Sequence, residues 1–263
     1  MNSLLLSLLL ASSLGCSTGN LPDDPQGEPN YGTGNNPPLT FAVISDIHFG
    51  NEVAEGPMVK VPQALKHITS YGELDAMVVV GDLTNGGEPQ QYEQLLETFN
   101  NPAMFTNPVK NFYFTMGNHD NYASNGKANF QNYLKPFNNG EPYPLNDYRV
   151  LKGYPFITVS MLNNHIHDIE HSSNGTNAYP TSTLTWLEEA LDRASRECPG
   201  RPIFVFTHVP PRWTCYATWT EYENGVAWCM QPLNPVLNKY PQAIVFAGHS
   251  QYSSGSESQF TSQ

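Results

Sequence analysis

Residues 244–251 read "IVFAGHSQ". Taken from one residue earlier, "AIVFAG" (243–248) is the apolar run that a buried strand requires, and it stops at Gly248 to deliver His249, with Gln251 two residues on. A histidine at the very end of a buried strand is not there to fill a core. If it serves a site, other strands must end beside it with complementary groups.

Five further runs have the same character: "TFAVIS" (40–45), "MVVVG" (77–81), "NFYFTMG" (111–117), "FITVSML" (156–162) and "PIFVFTH" (202–208). Several are uninterrupted, the pattern of strands buried on both faces. Residues 88–99 and 183–195 have helical spacing, with Thr183 placed as an N-cap. Strands alternating with helices predict a layered α/β domain.

The ends of these runs share one chemistry. The first continues into Asp46 and His48, two residues apart and so on one side of the chain. The second ends in Asp82, the third in Asn118, His119 and Asp120, the fifth in His208 and the sixth in His249. In open α/β sheets, ligands bind beyond the carboxyl ends of the strands. Asp, Asn and His are hard-to-borderline donors for divalent metals. Singly, each has a plain explanation: an Asp or Asn after a strand is usually a turn residue or cap, and a lone His is usually a satisfied side chain. Five strand ends that carry them onto one rim are not explained that way.

The ordered set "DIH … GD … GNHD … H … GH" resembles the calcineurin-like metallophosphoesterase superfamily, which includes purple-acid-phosphatase-like and cyclic-nucleotide-phosphodiesterase-like enzymes. The resemblance spans roughly residues 40–251, and "GDLTNGGEPQQYE" and "HVPP" look like its exported bacterial members. It implies a two-sheet αββα sandwich around a dinuclear centre of divalent or trivalent ions (Mn, Fe or Zn). It also implies that Asp46 and His48 hold the first metal, Asp82 bridges both, and Asn118, His208 and His249 hold the second. His119 would be the non-ligand His beside the leaving group, with Asp120 orienting its ring. The chemistry agrees with those roles. Two cations about 3.5–4 Å apart clamp a phosphoryl group and generate a hydroxide at neutral pH. A bridging carboxylate keeps them that close, an adjacent imidazole can protonate the departing oxygen, and a carboxylate behind it fixes its tautomer. The expected reaction is hydrolysis of a phosphate mono- or diester by in-line attack of a metal-activated hydroxide.

Gln251 departs from the family pattern, which reads "GHxH" where this chain reads "GHSQ". Three readings stand open. Its amide oxygen can ligate the first metal, with a preference for harder ions such as Mn²⁺ or Mg²⁺. It can hold a water on a metal with three protein ligands. Or the first site is damaged, and the chain is a catalytically impaired surface protein of the same fold that binds a ligand or partner. The polar tail after Gln251 is also shorter than the family's usual continuation, so a truncated C-terminal sheet is expected.

Bulk properties narrow the partners. With 263 residues and 39% hydrophobic residues, the chain can bury a large core. A formal charge of −12 argues against a general nucleic-acid duplex binder, which needs a basic face. An acidic protein still binds a small phosphorylated substrate if bound cations supply the positive charge. Residues 1–16, "MNSLLLSLLLASSLGC", read as an export signal and resemble a bacterial lipoprotein signal, with Cys16 lipidated and the protein held in the cell envelope. Residues 17–38 read as a flexible tether and 39–263 as the metallophosphoesterase domain. In an exported chain Cys215 and Cys229 are the preferred disulfide pair, leaving Cys198 unpaired; three free thiols are the alternative.

Three other features stay open. His165, His167 and His171 have metal-like spacing but follow a strand without family ligands, and read as a polar loop near the substrate opening. Trp213, Tyr216, Trp219, Tyr222 and Trp228 either wall a pocket, which would suit a nucleotide or sugar phosphate, or pack on themselves as a lid. Arg212 is the only Arg close to a site motif, and either touches a phosphate or lies on the surface.

Overall fold

The computed structural model describes residues 9–11, 38–53, 56–163, 178–214, 218 and 231–250. Two sheets stack between helices. The first runs in the order β1 (Leu9–Ala11), β2 (Phe41–Ile44), β3 (Ala76–Val80), β4 (Phe112–Thr115), with α1 (Pro57–Thr69), α2 (Pro89–Phe99) and α3 (Gly126–Tyr133) between or after its strands. The second has β5 (Asn146–Leu151), β6 (Tyr154–Val159), β7 (Ile203–Thr207) and β8 (Ala243–Phe246), with α4 (Thr181–Glu197) and the short α5 (Asn234–Leu237). Strands β2–β3–β4 and β6–β7–β8 are parallel; β1 and β5 join their sheets antiparallel. The α/β sandwich expected from the sequence is the observed architecture.

The period-2 geometry of strands explains why the runs are apolar throughout. In β2 and β3, Phe41, Val43, Ala76, Val78 and Val80 face the second sheet, while Ala42, Ile44, Met77 and Val79 pack with Val61, Leu65, Leu95 and Phe99 of the helices. In β6 and β7, Phe156 and Phe206 face inward, and Ile157, Val159, Ile203 and Val205 face Leu187, Leu191 and Ala194 of α4. The layer between the sheets is mostly phenylalanine: Phe41 meets Phe204 at 4.9 Å and Phe156 at 5.1 Å, and Phe206 stacks on Phe246 at 5.3 Å. Both faces of the central strands β2, β3, β6 and β7 are therefore largely dry, and their ends are left for polar chemistry.

The structure adds the helices α1, α3 and α5 to the two expected, and three other elements differ from expectation. The helix expected from Thr183 starts two residues earlier, behind Pro180, and Thr183 is buried in its first turn without capping it. The strand β5 went unseen because "NDYRVL" is only half-buried; its marker is the Lys152-Gly153 turn, both residues at positive φ, which closes a tight hairpin onto β6. Leu9–Ala11, inside the expected export segment, pairs with Phe41–Val43 at the open edge of β2, where unpaired N–H and C=O groups accept any extended chain. Among the described residues, no helix is long and apolar enough to cross a membrane.

Candidate metal centre

Beyond β2 and β3 the two chains stay side by side. Asp46 N–H donates to the Gly81 carbonyl at 3.2 Å and His48 N–H to the Asp82 carbonyl at 3.0 Å. The backbone there is not ordinary strand. Among the described residues, seven non-glycine positions have positive φ, and four are Asp46 (56°), His48 (46°), Asp82 (49°) and His249 (68°). Such conformations are costly for residues with a Cβ and persist where a site requires them. The glycine before each ligand has a steric reason: a methyl at Gly117 would strike the Asp82 carboxylate, at Gly81 the His208 ring, and at Gly248 the Asp46 carboxylate. Each Gly-X motif leaves room for a donor from a different strand.

The side chains converge on Asp82. Its Oδ1 accepts the His119 backbone N–H at 2.9 Å, which leaves Oδ2 facing His208 Nε2 at 3.3 Å and His48 Nε2 at 3.7 Å. His208 Nδ1 lies 2.9 Å from the Val80 carbonyl, and its Nε2 lies 3.2 Å from Asn118 Oδ1. The carbonyl fixes the Nδ1–H tautomer, so the Nε2 lone pair of neutral His208 points into the site. The Asn118 amide donates from Nδ2 to the Tyr122 hydroxyl at 3.2 Å, which turns its oxygen inward. The His249 backbone N–H is held by Asp46 Oδ2 at 3.0 Å. Asp46, His48, Asp82, Asn118, His208 and His249 are all buried, whereas His119 is half-buried.

Two groups of metal-competent donors result, His48–Asp82–His119 and Asp82–His208–His249, sharing Asp82. The second brings together three of the residues expected around the second metal, with Asn118 Oδ1 beside His208. In the first, His119 stands where Asp46 was expected; Asp46 remains near enough to act electrostatically on both His48 and His208. Burial opposes the charge on Asp82, but the imidazoles of His208, His48 and His119 outweigh it and hold its carboxyl well below the usual carboxylate range. Burial also opposes the charge on His208, yet Asp82 and Asp46 lift it to about 9. For His48 burial wins, and its pKa is lowered despite Asp82 and Asp46. Without metal, a proton on His208 holds two acceptors, Asp82 Oδ2 and Asn118 Oδ1, against each other. That is a donor set in which a cation can replace the proton, so the residues fit a metal.

The profile of the calcineurin-like phosphoesterase family matches residues 39–252. The chain belongs to the calcineurin-like phosphoesterase family. It is a phosphoric ester hydrolase, and the reading of the fold as a non-enzymatic binding module gives way. A protein of Nostoc sp. named 3′,5′-cyclic-nucleotide phosphodiesterase is 25% identical to it over 228 residues, 81% of this chain and 71% of that one. The family is metal-dependent, and the two donor groups are of a kind that can hold a metal ion.

One expected role is corrected. Asp120 does not orient the ring of His119. Its carboxylate, fully buried, accepts the N–H groups of Leu83 (3.1 Å), Thr84 (2.9 Å) and Gly117 (2.9 Å) and the Thr84 hydroxyl (2.7 Å). It fastens the loop after β3 to the loop after β4. Burial first, and the charge of Asp82 second, push its pKa up to about 6 against those donors. His119 Nδ1 instead faces the main-chain carbonyl of Asn85 at 3.0 Å. Neighbours in a tight turn point apart, so the sequence pair His119-Asp120 is not a spatial pair.

Tyr122 and Asn85 also belong to the phosphoesterase's site. Tyr122 is marked in sequence only by its place four residues after Asn118, and Asn85 contributes through its backbone, which sequence cannot signal. Arg212 lies with its guanidinium 4.9 Å over the Trp213 ring. Cys198 is a buried free thiol, as expected. Gln251, Cys16, Cys215, Cys229, His165, His167, His171, Tyr216, Trp219, Tyr222 and Trp228 lie outside the described residues.

Proposed function

We propose that this chain is an exported phosphoesterase that hydrolyses a phosphate mono- or diester at a dinuclear metal centre. The observation that carries the reading is the position of Asp82 Oδ2, within 3.7 Å of a histidine from each donor group. In this reading Asp46, His48, Asp82 and Gln251 hold one ion, and Asp82, Asn118, His208 and His249 the other; Gln251 contributes its amide oxygen. Two such ions supply a nucleophile at neutral pH and positive charge for the phosphoryl oxygens.

The chain's own groups do the rest. The backbone N–H of His119 steers Asp82 so that one carboxylate oxygen serves both sides. Val80 and Tyr122 hold His208 and Asn118 in their ligating orientations. The Asn85 carbonyl takes the Nδ1–H of His119, so the ring with both nitrogens protonated donates to the departing oxygen from Nε2.

Within the ester classes, a cyclic nucleotide diester is favoured by the name of the Nostoc relative. Export, and attachment of the protein to the cell envelope through Cys16, rest on the composition of residues 1–16. The test is hydrolysis of a nitrophenyl monoester and diester by the Mn²⁺-loaded protein beside His119→Asn. Turnover that His119→Asn reduces by about 10²–10⁴-fold supports the assignment. An unchanged rate removes His119 from the mechanism, and no turnover of either ester removes the reading.

A further inference from the structure

The imidazole that the proposed mechanism puts beside the departing oxygen has two ring neighbours. His48 meets it edge-on at 4.5 Å, and Tyr122 meets it tilted at 4.6 Å. Tyr122 is 50% exposed, although an aromatic ring of its size is usually mostly covered. It is nonetheless held at two points, by the Asn118 amide on its hydroxyl and by the His119 ring. A ring fixed before a ligand arrives loses little freedom on binding, which is what makes aromatic side chains efficient anchors.

Beside Tyr122 opens a cleft of about 400 Å³, lined also by Asn121, Ser124, Asn125, Lys127 and Leu162. That volume lies within the range of small-molecule sites. His48, on one side of the His119 ring, belongs to the metal donors, whereas Tyr122, on another side, lines the cleft. We propose that this cleft is the leaving-group subsite, that it takes a planar aromatic group of which a nucleobase is the biological example, and that Tyr122 is its specificity-determining residue. The inference rests on the phosphoesterase mechanism above and deepens it by naming the class of leaving group.

The lining decides against other leaving groups. Lys127 is the only charged residue among its described lining residues, too little for a leaving group carrying several phosphates in a protein of net charge −12. The same cation repels a quaternary ammonium head group. Glycerol has no flat face to set on the exposed ring, and a sugar sets only its C–H face there. Asn121 is committed, its amide donating to the Gly117 and Met161 carbonyls at 2.8 and 3.1 Å, and so anchors the wall. Ser124 and Asn125 are exposed and offer the hydroxyl and amide that can meet the edge of a base.

The experiment compares adenosine with ribose as ligands of the Mn²⁺-loaded full chain. Affinity is read by calorimetry and by competition with nitrophenyl ester hydrolysis, in the wild type, Tyr122→Phe and Tyr122→Ala. The expected result is adenosine binding about 10-fold or more tighter than ribose, kept in Tyr122→Phe and lost in Tyr122→Ala. Equal binding of the two by the wild type, or a preference unchanged in Tyr122→Ala, overturns the subsite and leaves the phosphoesterase mechanism standing. Discrimination by Tyr122 without hydrolysis of either nitrophenyl ester supports the subsite and refutes the mechanism.

Discussion

Asp82 Oδ2 lies 3.3 Å from Nε2 of His208, a fully buried imidazole whose other nitrogen faces the Val80 carbonyl at 2.9 Å. In the metal-free protein this is an ion pair, with Asp82 held below its ordinary pKa and His208 lifted to about 9. In the metal-loaded protein both atoms are wanted as donors. The relationship therefore ties metal uptake, pH and stability together.

The pair sets a pH window for the metal-free protein. His208 is raised from 6.5 to about 9, so its contribution to stability is complete below about pH 6.5 and is lost as pH rises through about 9. Asp82 is lowered from 3.8, so its contribution is present above about pH 4 and is lost as pH falls. Urea midpoints of the metal-free chain are expected to fall between pH 6.5 and 9.5, with a smaller fall in His208→Asn. A midpoint that rises over that range contradicts the pairing.

Metal loading displaces the same proton. At pH 7 about one proton per chain is expected to leave His208 when metal binds, and none at pH 10. Calorimetry in two buffers of different ionisation heat counts it. No buffer dependence at pH 7 would show that His208 is already neutral.

Asp120 is expected to act on stability and not on the acid–base chemistry of His119. Asp120→Asn turns an amide N–H toward donors that the carboxylate now accepts, and should cost about 3 kcal/mol in unfolding free energy. Turnover of the folded variant should stay within about 10-fold of the wild type, because the His119 ring is held by Asn85. A loss of about 10²-fold or more in a variant of near-normal stability would restore the Asp120–His119 pairing.

Gly117 is expected to tolerate no side chain. A methyl there meets the Asp82 carboxylate and its backbone nitrogen. Gly117→Ala should lower turnover by about 100-fold or more, since displacements near 1 Å at a reacting centre have costs of that order. Its metal content should fall in parallel. Normal metal content and turnover would mean that the loop yields without moving Asp82.

Much of this was legible in the sequence, and the boundary has a physical cause. The sheets could be read because β2, β3, β4, β6 and β7 are largely buried on both faces, and they and the more exposed β8 are plain apolar runs. The donors could be read because each follows directly on such a run. Strand β5 lies half in water, and its mixed composition hides it. The first helix is poorly marked in sequence, since Pro62 interrupts "PMVKVPQALKHIT". Pro57 is favourable at a helix start, and the buried face of Val61, Leu65 and Ile68 carries the helix past Pro62. The role given to Asp120 came from the family resemblance, and the partner of His119 in the structure is a backbone carbonyl 34 residues earlier. Main-chain acceptors leave no trace in residue identity.

The most direct test counts metal ions per folded chain, by elemental analysis of the wild type and of Asp82→Asn, beside their nitrophenyl ester turnover. The account predicts two ions in the active wild type, and one or none in Asp82→Asn with turnover lower by about 10³-fold or more. Full activity with a single ion, or two ions retained in a fully active Asp82→Asn, would contradict a centre built on the shared oxygen of Asp82.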